Sequence, residues 1–222
     1  MENGTCRRAR RRLLKQCTLL ALAATAGPAF PATPGAATPV ILVVGDSLSA
    51  EYGLARGKGW VALLEQQLAQ QKIGAKVVNA SISGETTSGG RSRLPALLKQ
   101  HAPSIVIIEL GGNDALRGLP LSMTRNNLMF MARSAREAGA RVVVLGLKTP
   151  PNYGSKYAAD FDAVFTDVAR EEGAALVPFL LRGVADVPHY ETNFQPDRIH
   201  PREEAHPTML ANVWPVLKPL LR

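Results

Sequence analysis

A chain of 222 residues, 46% hydrophobic and 20% charged, can bury a sizeable core in one or at most two domains, and its composition excludes a disordered or collagen-like polymer. The formal net charge is +8, but residues 1–37 carry six Lys/Arg against the single acid Glu2; five of the eight charges lie there, and the +3 left needs no nucleic-acid partner. Both cysteines, Cys6 and Cys17, lie in the same segment, so the rest of the chain offers no disulfide framework, cysteine nucleophile or thiolate metal site.

In chain order, a basic stretch comes first (Arg7, Arg8, Arg10, Arg11, Arg12 and Lys15), then an uncharged, mostly apolar run from Cys17 to about Ala26, then a small-residue and proline-rich stretch from Gly27 to Pro39. That order is the layout of a secretory signal peptide. The apolar run is about ten residues, half of the roughly 20 a spanning helix needs. Residues 1–37 are therefore expected to be a signal peptide with a small-residue linker, and 38–222 one domain. The product is expected to be exported, periplasmic or secreted, with no stable membrane anchor. Cleavage after Ala26, Ala29, Ala32 or Ala37 fits equally well, and Arg10-Arg11-Arg12-Leu13-Leu14-Lys15 also resembles a twin-arginine export signal.

From Val40 strands and helices alternate. Val40–Val44 is a β-branched run closed by Gly45, as expected of a strand buried on both faces. Trp60, Val61, Leu63, Leu64 and Leu68 recur at helical spacing. Lys76–Asn79 reads as a short strand, and Leu94, Leu97 and Leu98 mark a helix with Pro103 beyond its end. Ser104–Leu110 is a strong strand. Met123–Ala138 reads as a helix stopped by Gly139, Arg141–Leu147 as a strand, Phe161–Glu172 as a helix ended by Gly173, Ala175–Val177 as a short strand and Ala205–Leu217 as the last helix. Lys148–Tyr157 and Leu181–Asp197 read as loops; both follow strands and are expected to wall a cleft. The alternation predicts a single three-layer α/β/α (flavodoxin-like) domain around a central parallel sheet of about five strands, with the chemistry in loops at the strands' carboxyl ends.

Four of those loops carry polar groups. Ser47 stands at the end of the first strand in Gly45-Asp46-Ser47-Leu48-Ser49; it is either an exposed nucleophile or, with Asp46, a helix cap. Ser49 stands where the G-x-S-x-G elbow would have its second glycine. Gly84 and Asn113, after the second and third strands, are either oxyanion donors or turn and cap residues. Asp197 precedes His200 by three residues, a spacing that lets the carboxylate orient the imidazole. His101, His189 and His206 are the other histidines, of which His101 is expected at the opposite end of the sheet.

Taken together, Gly45-Asp46-Ser47-Leu48-Ser49-Ala50, Asn79-Ala80-Ser81-Ile82-Ser83-Gly84-Glu85-Thr86, Glu109-Leu110-Gly111-Gly112-Asn113-Asp114 and Asp197-Arg198-Ile199-His200-Pro201 resemble the four ordered blocks of the GDSL/SGNH hydrolases. The branch they most resemble is the periplasmic thioesterase I/arylesterase/lysophospholipase group, also through Arg93-Leu94-Pro95-Ala96-Leu97-Leu98 and Pro151-Asn152-Tyr153-Gly154. The resemblance spans nearly all of Val40–Leu221. It implies a serine hydrolase of acyl esters or thioesters, with Ser47 as nucleophile, His200 as base, Asp197 as its partner, and Ser47, Gly84 and Asn113 as oxyanion hole. It also implies that the Tyr153 loop covers the acyl chain and that no metal or organic cofactor is needed. Transfer to an alcohol instead of water remains compatible. Glu51 and His206 depart from the family pattern near the site and are expected to bear on substrate preference. Two further readings are a metal-dependent hydrolase using Asp46, Asp197, His200 and His206, and a non-catalytic binding module. No G-x-G-x-x-G phosphate fingerprint opens the first helix to favour the second.

Overall fold

A computed structural model describes residues 38–149 and 151–221. The expected signal peptide and linker, with Cys6 and Cys17, lie outside the described residues. Five parallel strands form one sheet in the order β2-β1-β3-β4-β5: β1 Val40–Gly45, β2 Lys76–Asn79, β3 Ile105–Glu109, β4 Arg141–Leu145 and β5 Ala175–Val177. Strands β1, β3 and β4 are β-branched runs buried on both faces, and Ile41 to Val44 and Ile105 to Ile108 form the centre of the core. Helices α1 (Trp60–Gln70) and α6 (His206–Leu217) pack together on one face; α2 (Thr87–His101), α4 (Leu121–Glu137) and α5 (Ser155–Glu172) pack on the other.

The strand order reverses between β1 and β3. Their outgoing loops diverge there and leave a crevice at the carboxyl edge, the usual ligand position in open parallel sheets. Gly45 ends β1 opposite Glu109 in the register. A Cβ on Gly45 would sit 2.9 Å from Glu109 Oε2 and from Ser49 Oγ, so only glycine lets the two chains approach this closely.

Some boundaries differ from expectation. Helix α5 begins at Ser155 rather than Phe161, because Tyr157, Phe161 and Phe165 form one ring ladder at i,i+4 spacing, with centroids 6.4 and 5.1 Å apart, and Lys156 pairs with Asp160 one turn on. The expected loop therefore stops short of Tyr157; Pro151–Tyr153 is a 3-10 turn, and Pro150 lies outside the described residues. Strand β4 ends at Leu145 rather than Leu147, since Gly146 donates to the Val177 carbonyl and accepts from Leu180 N–H as the chain crosses Pro178. The Leu181–Asp197 loop is irregular except for a 3-10 turn at Tyr190–Asn193. A helix of five residues, α3 (Gly112–Leu116), was not expected; it is too short to show a period.

Candidate active site

Strand β1 delivers Ser47 to the carboxyl edge. The turn that holds it is closed by Ser49 and Ala50 N–H donating to the Asp46 carbonyl at 3.2 and 2.9 Å. Beneath the turn lies a buried polar cluster. Glu109, at the end of β3, accepts the Ser49 hydroxyl at 2.8 Å and the Asp46 N–H at 3.3 Å through Oε2, while Trp60 Nε1 donates to Ser49 Oγ at 3.2 Å. Burial, then the neighbouring Asp46 carboxylate, pushes the Glu109 carboxyl well above the usual range, which favours its neutral form beneath the turn.

Asp197 and His200 sit on a folded-back segment between β5 and α6. Phe194 and Pro201 bridge antiparallel, Gln195 N–H donates to the His200 carbonyl at 2.8 Å, and Arg198 takes a left-handed φ of 58° at the tip. Asp197 Oδ1 accepts the N–H groups of Ile199 and His200 at 2.9 and 3.0 Å, which leaves Oδ2 for His200 Nδ1 at 2.6 Å. Burial pushes the Asp197 carboxyl upward. The hydrogen bonds from the His200 ring and from the two backbone N–H groups outweigh it together and hold the group at about 2. An ionised carboxylate only accepts, so the proton rests on Nδ1 and the Nε2 lone pair faces outward. Nε2 lies 2.8 Å from Ser47 Oγ. The Tyr52 ring covers the imidazole, centroids 4.2 Å apart. Gln195 Nε2 donates to the Tyr52 carbonyl at 2.9 Å and to the Pro201 carbonyl at 3.2 Å, and so links the segments bearing Ser47 and His200.

Asn113 stands in the first turn of α3, immediately after β3. Its Nδ2 donates to Asp46 Oδ2 at 2.9 Å, which leaves the amide's second N–H for another acceptor. Asp46 Oδ1 takes the Leu48 N–H at 3.0 Å. Burial raises the Asp46 carboxyl to about 6, against the opposing pull of Leu48 N–H and the Asn113 amide. Gly84, after β2, adopts a φ of 78°, which a side chain would strain, and its carbonyl accepts Arg117 Nη2 at 2.8 Å. Among the described residues neither Ser47 N–H nor Gly84 N–H has a protein acceptor.

The remaining candidates lie apart. His101 ends α2 at the amino edge of β3, and His189 is a left-handed loop residue whose carbonyl accepts Thr192. His206 is buried, its Nδ1 accepting Trp60 N–H at 3.0 Å, and burial lowers its pKa. Glu51 accepts the N–H groups of Gly57 and Gly59. Both departures from the family pattern therefore hold the start of α1. Tyr153 packs on Tyr157 at 5.8 Å and, with Gly154, Ser155, Lys156, Tyr157 and Asp160, lines an open cavity of about 570 Å³ that none of Ser47, Asp197 and His200 borders. Among the described residues no three His, Cys, Asp or Glu side chains gather where they would hold a metal ion. Sequence reasoning missed Glu109, Trp60, Tyr52 and Gln195 as parts of the site. Glu109 stood in the quoted block, but only the strand register puts it beneath Ser49.

A model of the GDSL-like lipase/acylhydrolase family matches residues 43–207. Esterase TesA of Pseudomonas aeruginosa is 52% identical over 189 residues, covering 85% of this chain and 92% of its own. Thioesterase 1/protease 1/lysophospholipase L1 of Escherichia coli K12 is 40% identical over 186 residues, 84% and 86% of the two chains. The crystal structure of a TesA at 52% identity superposes with a TM-score of 0.78 and covers 82% of this chain and 99% of that one.

Proposed function

The chain belongs to the GDSL-like lipase/acylhydrolase family and is a serine esterase or thioesterase, and we propose that it works through an acyl-enzyme on Ser47, with His200 as general base and Asp197 as its anchor. The observation that carries this reading is the 2.8 Å contact between Ser47 Oγ and an imidazole whose other nitrogen is engaged by an ionised carboxylate. In the first step His200 Nε2 takes the Ser47 proton as Oγ bonds to the acyl carbon, and Asp197 stabilises the imidazolium. The carbonyl oxygen becomes an oxyanion met by Ser47 N–H, Gly84 N–H and the Asn113 amide. As the tetrahedral centre collapses, the ester or thioester bond breaks and His200 passes its proton to the departing alcohol or thiol. Water then repeats the sequence on the acyl-enzyme and releases the acid. Loss of one oxyanion donor typically costs roughly 10²–10³ in kcat.

The substrates are small acyl esters or thioesters; a relative named a thioesterase and lysophospholipase supports thioesters and lysophospholipids as candidates. Tyr153 lines a cavity that Ser47, Asp197 and His200 do not border, so a role on the acyl chain would put it at the far end of a long chain, beside the ring ladder. Tyr153→Ala is expected to lower kcat/KM more for long-chain than for acetyl p-nitrophenyl esters; equal losses would remove Tyr153 from the acyl site. Residues 1–37 are read as an export signal and linker ahead of a hydrolase domain at 38–222, giving a periplasmic or secreted enzyme. The order of basic, apolar and small residues supports this, and N-terminal sequencing of the exported protein tests it. Among the described residues no helix is long and apolar enough to cross a membrane. The direct test of the mechanism is mass spectrometry after fluorophosphonate labelling. Modification confined to Ser47 and abolished in His200→Ala is expected, and labelling elsewhere in folded, active enzyme would refute the assignment.

A further inference from the structure

One buried acid next to the proposed oxyanion hole takes no part in the mechanism above. Asp114 follows Asn113 in α3 and is fully buried. Its partners belong to other helices. Oδ2 accepts the Thr87 N–H at 2.9 Å, and Oδ1 accepts the hydroxyls of Thr87 and Thr124 at 2.5 and 3.2 Å. Both oxygens accept, which is the bonding pattern of a carboxylate. Thr87 opens α2, whose own N-cap, Thr86, makes no side-chain capping bond. Asp114 thus supplies from α3 the negative partner that the N-terminus of this fifteen-residue helix lacks. Asn127 closes the cluster: its amide nitrogen donates to Thr87 Oγ1 and Ser88 Oγ at 3.0 Å, and its oxygen accepts Arg91 Nη1 at 3.1 Å.

The two ends of this contact matter for what lies beside them. Thr87 is three residues beyond Gly84, and Asp114 is bonded in sequence to Asn113. Two further contacts steady the same β2–α2 segment from its rim: Arg117 Nη2 on the Gly84 carbonyl, and Arg93, which bonds Glu85 and donates to the Ala80 carbonyl. Both are partly open to solvent, whereas Asp114–Thr87 is wholly buried. A fully buried, hydrogen-bonded carboxylate is costly to leave unpaired, so this contact holds the spacing of its two segments more stiffly than the rim contacts do.

We infer that Asp114 is a positioning residue that sets the distance between the Gly84 N–H and the Asn113 amide, so that both donors reach one oxyanion. The inference rests on the oxyanion reading given above. Geometry of this kind bears on the transition state and not on ground-state binding, because the donors are aimed at charge that appears only during reaction.

The test compares Asp114→Ala, Asp114→Asn, Thr87→Val and Asn113→Ala in the full chain. Three quantities are measured: kcat and KM on a p-nitrophenyl ester, affinity for an alkyl trifluoromethyl ketone, which adds to serine as an oxyanion, and affinity for the product carboxylic acid. Asp114→Ala and Thr87→Val are expected to lower kcat by about 10–100-fold, short of the roughly 10²–10³ for losing a donor outright. KM and acid affinity should stay within about threefold, and ketone affinity should fall in step with kcat. Asp114→Asn keeps an acceptor for Thr87 N–H and should fall between wild type and Asp114→Ala. If Asn113→Ala leaves kcat intact, the oxyanion reading fails and this inference with it. If Asn113→Ala is crippled while folded Asp114→Ala and Thr87→Val keep kcat within threefold, or lose ketone and acid affinity alike, the coupling alone is overturned. Should Asp114→Ala not fold, Thr87→Val decides by the same criteria, since it retains the helix N–H and the side-chain shape.

Discussion

The Gln195 side-chain amide donates to the Tyr52 carbonyl at 2.9 Å, and through it the segment bearing His200 is tied to the segment bearing Ser47. The same nitrogen reaches the Pro201 carbonyl, and the Gln195 N–H reaches that of His200. Gln195→Glu sets a carboxylate against two carbonyl oxygens. It is expected to lower kcat by at least about tenfold, because a small misplacement of reacting groups is expensive. Two acceptors left unpaired should also lower Tm by several degrees. Gln195→Ala should do less on both counts. Steady-state kinetics with thermal melts checks the order, and a Gln195→Glu enzyme as fast as wild type would show that the clamp is idle.

Asp46 holds the Asn113 amide in one orientation. Asp46→Asn offers a donor where Asn113 now donates, so the amide turns over, and kcat is expected to fall about 100-fold with little change in KM. Stability should move the other way. The folded carboxyl titrates near 6 rather than 3.8, so the folded state binds the proton more tightly than the unfolded chain between those values. Wild-type stability attributable to this group therefore falls as pH rises from about 4 to about 6 and stays low above that range. Melting curves at pH 4 and pH 8 should show Asp46→Asn gaining on wild type at the higher pH; a constant gap would contradict the raised value.

Asp197 has the opposite sign. Its folded pKa of about 2 lies below the ordinary 3.8, so its contribution to stability is complete above about 4 and is lost as pH falls through about 2. Asp197→Asn should be less stable than wild type at pH 6, with the gap narrowing towards pH 2. Its kcat should drop by about 10²–10⁴, because an amide no longer dictates which imidazole nitrogen carries the proton. Fluorophosphonate labelling of Ser47 should slow in parallel; unchanged labelling would detach Asp197 from the nucleophile.

Glu109 tests whether a neutral acid lies under the turn. Glu109→Gln retains an acceptor for Ser49 and for Asp46 N–H, so kcat should stay within about threefold of wild type. The wild-type carboxyl, raised by burial and by Asp46, keeps its proton when folded at pH values where the unfolded chain has lost it. Above about 4.5 this lowers wild-type stability as pH rises, until the folded group ionises, a cost the glutamine lacks. Glu109→Gln should therefore match wild type near pH 4 and melt higher at pH 8. Parallel curves across that range would mean that Glu109 is charged in the fold.

The architecture was legible because local chemistry and global packing agree. β-Branched runs such as Val40–Val44 and Ile105–Ile108, alternating with helices, suit strands buried on both faces of a parallel sheet, and Trp60, Leu64 and Leu68 repeat at helical spacing. The start of α5 was misjudged since Tyr157 joins its helix through ring packing, which hydropathy alone does not register. Helix α3 escaped notice because five residues carry no period.

The sequence by itself determined the alternation of strands and helices, the place of Ser47, Gly84 and Asn113 after successive strands, and the Asp197–His200 spacing, since each depends on neighbours close along the chain. Only the tertiary structure decided that His200, more than 150 residues from Ser47, lies 2.8 Å from its hydroxyl. Glu109 under the nucleophile turn, Gln195 across Tyr52 and Asp114 on Thr87 are likewise products of folding. Such contacts depend on strand register and helix docking, where a one-residue slip redirects every side chain, and no local pattern encodes them.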